Sequence, residues 1–388
     1  MELYVHIPFC VKKCDYCDFL SGPADKQTKE KYVEALVKEI EVTGKYSTDK
    51  DKVTSIFVGG GTPSILESEQ LNRIFEALNK AFIIEDNAEI TVEMNPGTVS
   101  LEKLKMLMKS GVNRLSIGLQ SVNDKELKIL GRIHTYAEFE EAYDMACEAG
   151  FKNINIDLIS AVPGQTVESW KNTLITVAKL NPKHISAYSL IIEEGTPFYE
   201  KYGEDVCSSC KENILQLPDE ISERIMYEDT KKILEEYGYH RYEISNYAKE
   251  GFECEHNKGY WKCDDYLGIG LGSSSLVNGK RFHNTSDMKE YLEFSGQLER
   301  IRKDEVELTV EERIEEFMFL GLRMTEGISK TNFTKRFCIN IEEVYKEELA
   351  KLKKEGLIEE KGDYIYLTKR GTDVSNQVFV EFMEPEIK

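Results

Sequence analysis

The chain has 388 residues, 41% hydrophobic and 31% charged, with 50 Lys and Arg against 70 Asp and Glu for a net charge of −20. That length supports two or three domains around a sizeable core, and the acidic balance excludes a general nucleic-acid or anionic-membrane surface, which relies on Lys and Arg. No run of about 18 apolar residues is available to span a bilayer, and the start, "MELYVHIPF", lacks the basic and long apolar regions of a secretory signal, so a cytoplasmic location is expected.

From residue 1 to about 250, short β-rich runs alternate with amphipathic stretches. "LYVHI" (3–7) runs into "PFCVKKCDYC", where Cys10, Cys14 and Cys17 stand as C-x3-C-x2-C. After a helical stretch (28–41), "VTSIFVGG" (53–60) merges into "GGGTPS" (59–64). "AEITVEMNP" (88–96), "RLSIGLQS" (114–121), "NINIDLIS" (153–160) and "HISAYSLII" (184–192) follow, with a helical pattern over 166–180. Six β–α units predict an α/β fold, a parallel sheet with right-handed crossovers curled into a partial (βα)6 barrel over residues 1–250.

Residues 195–218 break the alternation and are expected to form a loop insertion. A connecting segment with "HNKGYW" (256–261) is expected over 251–304. From 305 to 388, three helical stretches and a hairpin around Lys361, Gly362 and Asp363 predict a winged-helix-like module. That module carries 13 basic and 19 acidic residues, so a lid or docking role is expected rather than DNA binding.

Nine cysteines without a secretory signal point to metal or redox chemistry rather than to disulfides. Three thiolates can hold three irons of a [4Fe–4S] cube and leave the fourth open; the alternative is a zinc site completed by His6 or Asp18. The glycine run reads as a backbone cradle for a carboxylate or amino group, or simply as a tight turn. Glu93, Gln120 and Asp157 fall near the C-terminal ends of three predicted strands, the working face of a parallel barrel. Together with the cysteines they favour the open cluster over zinc.

These stretches ("YVHIPFC", "GGGTPS", "LSIGLQS", "NIDLI" and the C-terminal module) make the chain resemble radical S-adenosylmethionine proteins of the oxygen-independent coproporphyrinogen oxidase-like family, over nearly its whole length. The resemblance implies a [4Fe–4S] cluster on Cys10, Cys14 and Cys17, whose open iron is chelated by S-adenosylmethionine and whose electron comes from a donor such as flavodoxin or ferredoxin. It also implies cofactor-binding roles for Tyr4, Tyr16, Gly60, Gly61, Thr62, Glu93, Gln120, Arg132 and Asp157. Glu93 suits the ammonium, Arg132 the carboxylate, Asp157 the ribose, and the aromatics the adenine or cluster.

Two branches share this pattern. The dehydrogenase branch, which decarboxylates coproporphyrinogen III through a 5′-deoxyadenosyl radical, usually has a further cysteine where Phe19 stands and an extension before the cluster. The heme-chaperone branch has an H-N-x-x-Y-W motif, matched by "HNKGYW". The resemblance to that branch implies heme binding, recipient apo-hemoproteins and room for a homodimer, with His256 ligating heme iron and Tyr260 and Trp261 stacking on the macrocycle. The plain alternative for His256 is a buried, hydrogen-bonded histidine. Two features depart from the branch: Gly272, Ser273 and Ser274 replace the usual Gly-Ala-His, and "CSSC" adds Cys207 and Cys210. These two could join Cys254 and Cys263 in a four-thiolate site, or lie as surface thiols on a loop. Cys147 and Cys338 are expected in the core.

Overall fold

The computed structural model describes residues 1–46, 52–203 and 214–383. Six strands, β1 (Glu2–Ile7), β2 (Val53–Gly60), β3 (Ile84–Met94), β4 (Arg114–Gln120), β5 (Asn153–Ser160) and β6 (His184–Ser189), lie side by side in chain order, all parallel. This is the barrel that the alternation predicts. In β1 the period of two sends Leu3, Val5 and Ile7 into the main core with Tyr32, Leu36 and Ile40 of the helix Lys26–Gly44, while Tyr4 and His6 face the barrel interior. β4 is buried at every position, as a strand covered on both faces should be.

The helices begin where the sequence supplies a cap. Asp25 accepts from the Thr28 N–H at 2.7 Å, and Thr135 with Glu138 and Thr309 with Glu312 form capping boxes. β6 stops at Ser189 rather than at residue 192, and Leu190 turns back to the Ser160 carbonyl.

The sheet extends beyond the six strands. β8 (Asn246–Ala248) and β7 (His240–Arg241) add antiparallel beside β6. On the other edge β9 (Tyr266–Ile269) pairs parallel with β1, and β10 (Ser274–Val277), β11 (Lys280–Asn284) and β12 (Arg302–Glu307) continue antiparallel to make twelve strands. Residues 251–304, expected as a connector, thus supply β9 to β11 and the start of β12. A carboxylate ties this extension to the barrel. Buried Glu39 accepts from Gly270 N (2.9 Å), Asn284 Nδ2 (2.6 Å) and Tyr291 Oη (2.5 Å). Burial pushes its pKa up to about 7, against the pull of those three donors.

Beyond β12 lies a second core, with Ile314, Met318, Phe333, Leu352 and Ile365, inside a three-stranded sheet, three helices of eight residues or more and three shorter ones. The strands are β13 (Ile328–Ser329), β14 (Ile358–Lys361) and β15 (Tyr364–Leu367), in the order β13-β15-β14; the longer helices are Val310–Gly321, Lys330–Phe337 and Lys346–Lys354. This is the winged-helix-like module. The helical run from Ile341 to Lys354 is interrupted at Tyr345, whose buried ring sends its hydroxyl to the Phe382 carbonyl at 2.9 Å. Among the described residues no helix is long and apolar enough to cross a membrane.

Candidate functional site

The three cysteines lie in a loop closed at its neck. Cys10 N donates to Gly22 O (3.0 Å), and Gly22 N to Pro8 O (3.1 Å). Inside the loop Cys17 N reaches Cys14 O (3.2 Å), Asp15 N bonds Leu130 O, and Asp15 O accepts from Phe198 N. All three thiols are half-buried and free. The glycine run packs directly against this loop. Gly61 N donates to Ile7 O (2.9 Å) and Thr62 N to Phe9 O (2.8 Å). A Cβ on Gly61 would stand 2.7 Å from Phe9 O, so only glycine fits there; Gly60, at φ +107°, lies against the His6 ring. Gly60 N is taken by Glu93 Oε2 at 3.0 Å. The run therefore offers a ligand a bare backbone edge, its three N–H groups being engaged within the protein.

Below the loop is a cavity of about 440 Å3, lined by Cys14, Tyr16, Cys17, Gly60, Gly61, Glu93, Gln120, Arg132 and Asp157 among others. Nine of the residues singled out from the sequence thus meet in one chamber at the C-terminal strand ends. Glu93 is pushed up to about 8 by burial and then by Asp157. Burial also raises Asp157, against hydrogen bonds from Asn155 Nδ2 (2.8 Å) and Ser116 Oγ (3.0 Å). Gln120 holds φ +75° where β4 slips register against β5, a strained backbone for a residue with a side chain. Thr62 and Cys10 sit just outside this chamber. The Thr62 hydroxyl donates to Cys10 Sγ (3.5 Å), and Arg132 Nη1 to Cys14 Sγ (3.6 Å).

A second cavity of about 540 Å3 lies deeper, sharing Phe19, Gly60, Glu93, Ser116, Asp157 and Tyr188 with the first. Tyr4, His256 and Tyr260 line it, as do Gly272, Ser273 and Ser274. Register puts Glu2, Ser55 and Glu89 in one row near the N-terminal strand ends, and the helix Glu255–Trp261 packs there. Gly259 lets it close in, because a Cβ would fall on the Glu2 carboxylate.

His256 is 1% exposed, with Nδ1 hydrogen-bonded to Ser55 Oγ (2.8 Å) and Nε2 to Tyr260 Oη (3.2 Å); its ring stacks on Phe57 at 5.2 Å. Burial, then the charge of Arg114, drops its pKa to about 3. It is a neutral core histidine with both nitrogens occupied. Trp261 turns away from its motif partners and lies under Arg323, 4.4 Å from ring centroid to guanidinium carbon, packed with Tyr242 and Met324. Replacing His256 by alanine should cost about 2–3 kcal/mol, by leaving Ser55 and Tyr260 unpaired and a void beside Phe57. Denaturant unfolding of the cluster-free protein measures this; an unchanged midpoint would contradict it.

The family models of the Radical SAM superfamily and the HemN C-terminal domain match residues 4–177 and 308–374. A Bacillus subtilis protein named heme chaperone HemW is 37% identical over 98% of each chain. An Escherichia coli HemW is 32% identical over 99% of this chain and 98% of its own. The chain belongs to the HemW family of radical SAM proteins. The solved structure of coproporphyrinogen III oxidase (HemN) from Escherichia coli, a radical SAM enzyme, superposes with TM-score 0.84 and 25% identity over 99% of this chain and 90% of its own. HemW relatives thus match the barrel, the helix Glu255–Trp261 and the C-terminal module together.

The site fits the groups that this family implies. Three free thiols in one loop, next to an arginine, suit a cube ligated at three irons. Among the described residues no three His, Cys, Asp or Glu side chains converge on a single ion. His6, the zinc ligand considered from the sequence, has its nitrogens bonded to Tyr4 Oη (3.0 Å) and Leu20 O (2.9 Å). Two carboxyls with raised proton affinity suit a ligand bearing an ammonium and a sulfonium. Arg132 Nε, buried without a partner, remains for its carboxylate.

The four-thiolate alternative fails on Cys254 and Cys263. Seven helical residues, about 10 Å of rise, separate them. Cys254 is buried against Glu89, whereas Cys263 belongs to the second core. Cys207 and Cys210 lie outside the described residues. Cys147 and Cys338, expected in the core, are exposed, one on the outer face of Tyr136–Ala149 and the other at a left-handed helix end. Sequence reasoning missed Asn95 and Ser116. Asn95 lies two residues from Glu93 and Ser116 four residues from Gln120, both flagged positions at strand ends, the one available signal.

Proposed function

We propose that this protein is a heme chaperone, holding a [4Fe–4S] cluster on Cys10, Cys14 and Cys17, S-adenosylmethionine in the chamber beneath them, and heme for delivery to apo-hemoproteins. The observation carrying this reading is the full-length match to HemW relatives, which includes the helix Glu255–Trp261. Cluster and S-adenosylmethionine together supply one-electron chemistry. In this reading Glu93 binds the ammonium, Arg132 the carboxylate, and Asp157 and Gln120 the ribose side. Gly60, Gly61 and Thr62 give room at the backbone edge, and Tyr16 covers the cluster. Tyr4, Tyr260 and His256 form the walls of the deeper chamber. For His256 to serve as an axial ligand, it must first release Ser55 or Tyr260.

The superposition on HemN favours a second reading, oxidative decarboxylation of coproporphyrinogen III. Against it stands Phe19, 60% exposed beside the cysteine loop where that branch usually has a cysteine. The deciding experiment gives the reduced, reconstituted protein S-adenosylmethionine with either heme or coproporphyrinogen III. Stoichiometric heme binding followed by transfer to an apo-hemoprotein is expected. Multiple-turnover formation of protoporphyrinogen would replace this reading with the second.

A further inference from the structure

We infer that Asn95 is a positioning residue that aims two hydrogen bonds at cluster sulfurs and thereby sets the reduction potential of the cluster; this rests on the assignment of Cys10, Cys14 and Cys17 as its ligands. Asn95 stands one residue past β3. Its Nδ2 donates to Thr62 Oγ1 at 2.8 Å, and its Oδ1 accepts from Arg132 Nη2 at 2.6 Å. Because the Thr62 oxygen already accepts from Asn95, its own proton is free for Cys10 Sγ, 3.5 Å away. On the other side Arg132 Nη2 is divided between Asn95 Oδ1 and Gly118 O (2.6 Å), which leaves Nη1 for Cys14 Sγ at 3.6 Å. One carboxamide therefore orients a neutral donor toward one cysteine and a cationic donor toward another.

The carboxamide is itself held in place. Asn95 N donates to Ser64 Oγ (3.3 Å), and Asn95 O accepts from Thr98 Oγ1 (2.6 Å). A Cβ on Gly118 would come within 2.7 Å of Asn95 Oδ1, so β4 accommodates the arrangement only with glycine. Asparagine alone suits both partners, with one donor for Thr62 and one acceptor for Arg132. Aspartate would accept from both and pull the Thr62 hydroxyl away from Cys10. Hydrogen bonds to cluster sulfurs stabilise the reduced, more negative state and raise the potential.

The test is potentiometric titration, followed by electron paramagnetic resonance, of the anaerobically reconstituted full chain without S-adenosylmethionine. Asn95→Ala and Thr62→Val are each expected to move the midpoint to a more negative potential. In the double variant the combined shift should be smaller than the sum, since the Thr62 arm is shared. If Asn95→Ala does not fold, Asn95→Asp, nearly the same shape, carries the test and should also shift negative. A variant with full cluster content and the wild-type midpoint overturns the inference alone, as does an Asn95→Ala shift undiminished in the Thr62→Val background. A wild-type chain that takes up no cluster overturns the inference and the assignment together.

Discussion

Replacing Cys10, Cys14 and Cys17 together by alanine is expected to abolish the iron–sulfur absorption of the anaerobically reconstituted protein. The expectation follows from position. All three thiols hang in one loop at the C-terminal end of β1, and two of them open into the chamber that also holds Glu93, Arg132 and Asp157. No other described cysteine is placed to substitute: Cys254 and Cys263 are buried on either side of a helix, and Cys147 and Cys338 are exposed singly. The fold should survive, because the loop is held by backbone bonds between Pro8, Cys10 and Gly22 rather than by the thiols. Iron content and visible absorption read the first part, and far-ultraviolet circular dichroism the second. A triple variant with the parent absorption would sink the assignment.

The ligand-free, cluster-free protein is expected to lose stability, on the order of a few kcal/mol, between pH 6.5 and pH 9. Among the buried carboxyls with raised pKa values, Glu39 stands at about 7, Glu93 at about 8 and Glu2 at about 9, each raised chiefly by burial from the usual 4.5. Between the unfolded and folded values the folded chain binds more protons, so stability falls as pH rises through that window. The contribution is complete below about 4.5 and gone once the folded pKa is passed. His256 at about 3 and His134 at about 4 are shifted the other way, by burial first, and reduce stability only below about 6.5. The decline above neutrality therefore belongs to the carboxyls. Urea unfolding at the two pH values measures it, and Glu39→Gln should flatten the lower part of the slope. A profile that is flat or rises toward pH 9 would refute this account. A cation held against Glu93 should lower that carboxyl's pKa and recover part of the loss.

Much of the barrel was legible because each parallel strand is a dense apolar run with an amphipathic helix behind it. Glu93, Gln120 and Asp157 stood out as polar residues at the ends of such runs. Asn95 did not, because "NPG" after β3 reads as turn chemistry, and only the fold brings it to Thr62 and Arg132. β7 to β10, two to four residues each, are too short for a period of two to show. "HNKGYW" was legible as a motif but not as geometry: a helical turn sends His256 and Tyr260 to one side and Trp261 to another. The Glu39 clamp joins residues more than two hundred positions apart, and no local pattern marks it.

Of the described strands, β1 is the earliest in the chain and one of the last to be completed. It lies in mid-sheet between β2 and β9, so one of its edges stays unpaired until Tyr266–Ile269 have been made. During vectorial synthesis more than half the chain must therefore emerge before the strand that leads into the cysteine loop has both neighbours. A fragment cut before β9 would expose a bare parallel edge, a ready template for self-association. Expressed alone, the six-stranded part should aggregate where the full chain remains dispersed.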